Sequence, residues 1–221
     1  MRSFRMLAVV TAAVGALAPA VPTATAAPAP SATAVPAADA QQSAGSTKAT
    51  PSKPVVATYK GRQIDLAKGW SGAGVCTEVT GGAIYCHDSV AEADAAIATI
   101  DPVLAEAAKA APAVPADVVL SPLGTGDCGS GYACLWQHSD FTGALLRFSQ
   151  PGTKYLSDWS FRDLASSACV FRSSGDMAVY DDRTLQPDPV VVLSNGYCYD
   201  FGAISYPYGG NWNDKADYVN L

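Results

Sequence analysis

The chain has 221 residues and a formal net charge of −6; 49% of its residues are hydrophobic, but only 15% are charged and 9% aromatic. Of the aromatic residues, 16 lie in 127–221, so residues 1–57 hold almost nothing with which to offset the entropy of folding. This excludes one large α/β enzyme spread over the whole length, and the acidic balance argues against nucleic-acid or anionic-membrane partners.

Residues 1–26 carry Arg2 and Arg5, then the apolar run Met6 to Ala20, then Ala24-Thr25-Ala26, which reads as a secretory signal with a small-x-small cleavage site. The apolar run is 15 residues, short of the roughly 20 needed to span a bilayer. The protein is therefore expected to be secreted and extracellular. Residues 27–57 are rich in Ala, Pro, Ser and Thr without an aromatic and read as a disordered linker.

Residues 58–112 read as a small disulfide-bearing α+β unit. It opens on a strand-like stretch, Thr58 to Leu66, followed by a glycine-rich loop from Trp70 to Gly74. Ser89-x-x-Glu92 has capping-box spacing, and Val90, Ala93, Ile97 and Ile100 then share one helical face. Pro102 is expected to kink or restart this helix. Residues 113–126 form a proline-containing connector.

From Asp127 the pattern changes to short apolar stretches separated by Gly, Asp, Ser and Pro. Tyr132–Gln137, Ala144–Ser149, Ser167–Arg172, Met177–Asp181, Val190–Leu193, Tyr197–Phe201 and Asp217–Leu221 are predicted strands of an antiparallel sandwich over 127–221. Six cysteines in an exported chain point to disulfides. Short separations make Cys76–Cys86 and Cys128–Cys134 the local pairs and leave Cys169–Cys198 as the long bridge. Zinc is disfavoured, because neither paired C-x2-C spacings nor clustered histidines are present.

The 127–221 segment also repeats itself. Trp136, Phe141 and Gly143 in the first half stand where Tyr180, Leu185 and Pro187 stand in the second, and Asp163, Ser166 and Ser167 match Asp214, Asp217 and Tyr218. The aromatic-x4-aromatic-x-Gly hairpin, with Ser167 following, resembles the βγ-crystallin Greek key. Cys128-x5-Cys134-Leu-Trp136 is similar more specifically to the secreted actinobacterial metalloproteinase inhibitors of the Streptomyces type, which have this fold. The resemblance implies an all-β C-terminal domain, a double Greek-key sandwich. It also implies an inhibitor that enters the cleft of an extracellular zinc peptidase through a disulfide-stabilised loop.

Thermolysin-like peptidases, as the resemblance implies, favour an apolar residue just after the scissile bond. Cys169, Val170 and Phe171 supply the predicted peptidase contact, since strand alternation leaves one of the two apolar neighbours facing out. The crystallin-type signature offers Asp163, Ser166, Asn213, Asp214 and Asp217 as oxygen ligands for weak calcium. Arg162 places a cation in the first copy where a ligand belongs, so no cofactor is expected. An alternative reading is a non-inhibitory calcium-, cell-wall- or carbohydrate-binding module, with Tyr197, Tyr199, Tyr206, Tyr208 and Trp212 as aromatic contacts.

An enzyme is not expected. The two histidines, His87 and His138, have no convergent partners in the sequence; Ser139 and Asp140 are chain neighbours of His138, which does not make a triad. Glutamate is absent from 127–221, which leaves no clear carboxylate pair. The predicted molecule is a monomer whose partner is an extracellular peptidase.

Overall fold

In the computed structural model, residues 34–35, 54–109 and 125–221 are described. The predicted signal, most of the predicted linker and most of the connector lie outside the described residues. Ala34–Val35 (β1) pairs antiparallel with a strand of the C-terminal domain at Val190 and Val191.

The stretch read as one strand from Thr58 is a hairpin, Val56–Tyr59 (β2) and Arg62–Asp65 (β3). Lys60 and Gly61 turn it with φ of 48° and 73°, the two positive angles that match the twist of paired strands. Val75–Glu78 (β4) and Ile84–His87 (β5) form a second hairpin in which Cys76 and Cys86 are direct cross-strand partners.

The helix Val90–Ile100 (α1) begins as expected, with Ser89 Oγ accepting from Glu92 N at 3.3 Å, but the Glu92 carboxylate reaches Asp88 N instead of Ser89 N. Asp101 interrupts it, and Pro102–Lys109 (α2) restarts with Leu104 N donating to Asp101 Oδ1 at 3.0 Å. Ala93 and Ile97 are buried, whereas Ile100, expected on the same face, is exposed because the chain turns at Asp101.

The C-terminal strands are Ala133–His138 (β6), Thr142–Phe148 (β7), Thr153–Tyr155 (β8), Ser167–Val170 (β9), Met177–Tyr180 (β10), Val190–Leu193 (β11), Tyr197–Asp200 (β12) and Tyr218–Asn220 (β13). One sheet runs β1-β11-β10-β13-β8 and the other β12-β9-β6-β7-β4-β5-β2-β3. The third strand of each half, β8 or β12, crosses to the sheet of the other half. That exchange is the double Greek key expected for a βγ-crystallin-type sandwich.

The backbone repeats with the sequence. Asp163 N donates to Ala216 O at 3.0 Å and Asp214 N to Ala165 O at 3.1 Å, while Ser166 N donates to Trp136 O and Asp217 N to Tyr180 O. The small unit is joined to the sandwich, because β4 extends the larger sheet by pairing in parallel with β7.

Two apolar cores result. Leu135, Phe148, Trp159, Phe161, Phe201 and Trp212 fill the space between the sheets. On the other side of the larger sheet, Ala93, Ile97, Leu104 and Ala105 of the helices close over Tyr132, Cys134, Trp136, Leu145 and Cys169. That sheet is therefore covered on both faces where β6, β7 and β9 run.

Candidate functional site

The double burial decides the predicted peptidase contact. Cys169 and Val170 are both 0% exposed, and Phe171 is half-buried against the core beneath the helices. Strand alternation does send Val170 and Cys169 to opposite faces, but both faces are covered. β9 is also a central strand between β12 and β6. As folded, Cys169 and Val170 present nothing to a partner, so this expectation is corrected: both are core residues.

The bridges form as expected between Cys76 and Cys86, Cys128 and Cys134, and Cys169 and Cys198, leaving no free cysteine. Cys169 and Cys198 are direct register partners on β9 and β12. Their bridge spans a sequence separation of 29 and closes the segment that contains β10, β11 and the loop between them.

The signature oxygens lie at two pseudo-symmetric places. At the first, Ser166 Oγ lies 2.8 Å from Gln137 O and 3.1 Å from Asp214 Oδ1, and Asn213 Nδ2 donates to Asp214 Oδ2 at 2.7 Å. At the second, the Arg162 guanidinium is ion-paired with both Asp163 and Asp217, and Asp182 N donates to Asp217 Oδ2 at 2.6 Å. A cation of the chain's own stands where a metal would have to bind, so the second place does not fit calcium. At the first, both oxygens of the Asp214 carboxylate are already engaged, and Asp163, which lines the same cavity, is paired with Arg162. Among the described residues no group of three or more His, Cys, Asp or Glu comes together as a metal site. Burial pushes Asp217 up to about 6 in spite of the Arg162 charge.

The histidines do not converge on a reactive centre. His87 sits on β5, where burial lowers its pKa, and its Nε2 has no hydrogen-bond partner. His138 is exposed at the end of β6, and Ser139 gives its carbonyl to Thr142 Oγ1 at 3.2 Å. The aromatic loop of the carbohydrate reading is mostly packed: Tyr206 and Trp212 are buried, with only Tyr208 exposed.

The feature missed at the level of sequence is the β10–β11 loop, residues 181–189, whose tip residue Leu185 is 95% exposed. Its stems are held from several directions. Asp181 N donates to Pro189 O at 3.2 Å and Arg183 N to Asp188 Oδ1 at 2.8 Å. The 202–212 loop buttresses it: Tyr208 Oη donates to Pro187 O at 2.9 Å and Tyr206 Oη to the Asp181 carboxylate. Burial raises the Tyr206 pKa and that bond raises it further, so the hydroxyl stays a donor. The signal available in the sequence was the loss of the covering aromatic and the glycine from the second repeat.

The loop itself, though not the 202–212 loop that buttresses it, falls in a stretch shared with a known family. Residues 122–192 match peptidase inhibitor family I36. The family is one of inhibitors, not enzymes, and the matched residues run from the connector through β6 to most of β11. No curated protein matches the chain. Among solved structures, a double mutant of a βγ-crystallin domain from Clostridium beijerinckii is similar at 20% identity, over 40% of this chain and 93% of that one, with a TM-score of 0.25. At that score the fold assignment rests on the strand exchange described above. No helix among the described residues is long and apolar enough to cross a membrane.

Proposed function

We propose that this protein is an exported, monomeric inhibitor of extracellular zinc metallopeptidases that presents a disulfide-bridged segment to the target's cleft. The observation that carries this reading is the inhibitor-family match over 122–192. Three features support the finer points: the Cys128-x5-Cys134-Leu-Trp136 motif for the metallopeptidase class, the signal-like Met6 to Ala20 run for export, and the Cys169–Cys198 bridge for a constrained binding segment. A segment held in one conformation loses less entropy on binding than a free peptide, which is where such inhibitors gain affinity. The proposal calls for no cofactor.

Residual thermolysin activity, titrated with the purified full chain, tests it. Stoichiometric loss of activity supports the reading. Full activity at micromolar inhibitor, repeated with related secreted zinc peptidases, overturns it.

A further inference from the structure

We infer that the 181–189 loop is the segment that enters the peptidase cleft, with Leu185 seated in an apolar pocket of the enzyme just after the scissile bond. This rests on the inhibitor reading above and assigns its contact.

The two repeats, compared within one molecule, show why this loop projects. In the first, Phe141 is 3% exposed and packs edge-to-face on Trp136 with ring centroids 5.5 Å apart. Gly143, at φ 82°, lets the hairpin fold over, since a Cβ there would lie 2.6 Å from His138 Cδ2. Ser167 Oγ then ties the turn down by donating to His138 O at 2.8 Å. In the second repeat all three devices are gone. Leu185 replaces Phe141, Pro187 replaces Gly143, and Tyr218 replaces Ser167. The Tyr218 ring stacks on Tyr180 at 4.6 Å instead of holding the loop. The hairpin opens, and the side chain that would have covered it stands in solvent.

Leu185 is the most exposed large apolar side chain among the described residues, flanked by the polar Thr184 and Gln186. An aliphatic group at a projecting tip gains by entering an apolar pocket. The stems, fixed by Arg183 N–Asp188 and by Tyr206 and Tyr208 from the neighbouring loop, present that tip in one place. Beside it lies a cavity of about 500 Å³ lined by Arg162, Asp182, Arg183 and Lys215, a mixed-charge rim suited to the polar lip of a cleft.

The Cys169–Cys198 bridge explains how such a loop inhibits instead of being consumed. Cleavage of Thr184–Leu185 adds one water across that peptide bond, leaving a carboxylate on Thr184 and an amine on Leu185. The two pieces stay joined covalently by the bridge and non-covalently by the four-residue pairing of β10 with β11. The cut ends cannot diffuse apart, so the enzyme remains occupied.

The test measures the thermolysin inhibition constant of the full chain, of Leu185→Asp, of Leu185→Phe, and of Val103→Asp on the distant face of α2. Each melting temperature is recorded alongside. Leu185→Asp is expected to weaken inhibition by at least about 30-fold with an unchanged melting temperature. Leu185→Phe, which keeps an apolar group at the tip, should inhibit more strongly than Leu185→Asp, and Val103→Asp should stay close to the parent. On long incubation, mass spectrometry should find the chain hydrated by one water, and a new N-terminus at Leu185 after reduction. If the parent inhibits and Leu185→Asp inhibits equally well, the loop assignment fails while the inhibitor reading stands. If the parent inhibits no secreted zinc peptidase, both fall.

Discussion

Trp70 donates its indole Nε1–H to the carbonyl oxygen of Trp159 at 2.6 Å and stacks on Phe161 with ring centroids 5.6 Å apart. The two tryptophans are 89 residues apart in the chain. Lys154 and Glu78, both nearly buried, meet at 2.6 Å in the same seam between the small unit and the sandwich. Loss of Trp70 should therefore be felt by the whole domain. Trp70→Ala is expected to cost about 2–3 kcal/mol in a single unfolding transition by urea. Two separate transitions, with only the first affected, would mean that the units fold independently.

Arg147 offers a second probe of that seam. Its side chain is 3% exposed on β7, and its Nη1 donates to Asp94 on α1 at 2.6 Å. Asp94→Ala leaves a buried guanidinium without its neutralising partner and is expected to cost roughly 1–3 kcal/mol. Restoring stability with the double variant Asp94→Ala, Arg147→Met, measured by chemical denaturation, would confirm that the uncompensated charge is the cause. Equal stability of the single variant and the parent would sink this account.

Val170 and Phe171 should respond unequally to a charge. Val170→Asp places a carboxylate between the two sheets and should cost more than about 4 kcal/mol or prevent folding. Phe171 is only half-buried and lies just past β9, so Phe171→Asp should give a folded, weakened domain. Circular dichroism melts of the two decide it, and a fully stable Val170→Asp variant would contradict the burial described above.

Asp217 predicts a slope in stability with pH. An aspartate in the unfolded chain titrates near 3.9, but burial beside Asp163 and Asp181 holds Asp217 up to about 6 even with Arg162 in contact. The folded state therefore binds the extra proton. The stabilisation is fully present below about pH 4 and is lost as the pH rises through 6, with no further change from this group above it. Asp217→Asn removes that slope, so urea midpoints of parent and variant should converge or cross between these limits. Parallel curves would rule out Asp217 as the source.

Calcium should matter little. With Arg162 lodged between Asp163 and Asp217 and both oxygens of Asp214 already engaged at the other place, a millimolar site at about 1 mM calcium adds no more than about 0.4 kcal/mol. Differential scanning calorimetry with and without calcium should give nearly superimposable melts. A shift of many degrees that disappears in Asp214→Ala would show a strong site.

The sandwich strands were legible because each apolar run is bounded by turn residues, and the repeat fixed which runs correspond. β8 was missed because Thr153–Tyr155 is only three residues long and its middle residue is a lysine. The Lys60-Gly61 turn was hidden inside what looked like one continuous strand. The binding contact was misplaced for a different reason. Alternation says that Cys169 and Val170 face opposite ways, but it does not say that α1 and α2 roof the second face, a tertiary arrangement set by residues some 70 positions earlier. Leu185 was visible as a flaw in the repeat, and only its exposure reveals what the flaw does.

The parallel pairing of β4 with β7 also hides a strand border. Without residues 54–109, β7 would offer a row of unpaired amides and carbonyls, and Trp136 and Leu145 would lose the helices above them. A fragment cut at the start of the sandwich would be sticky on one edge and greasy on one side, prone to join further copies of itself through the gap. The outline by which relatives are recognised, 122–192, is thus narrower than the piece that can live alone in water. Anyone producing the sandwich alone should begin the clone at or before Pro54.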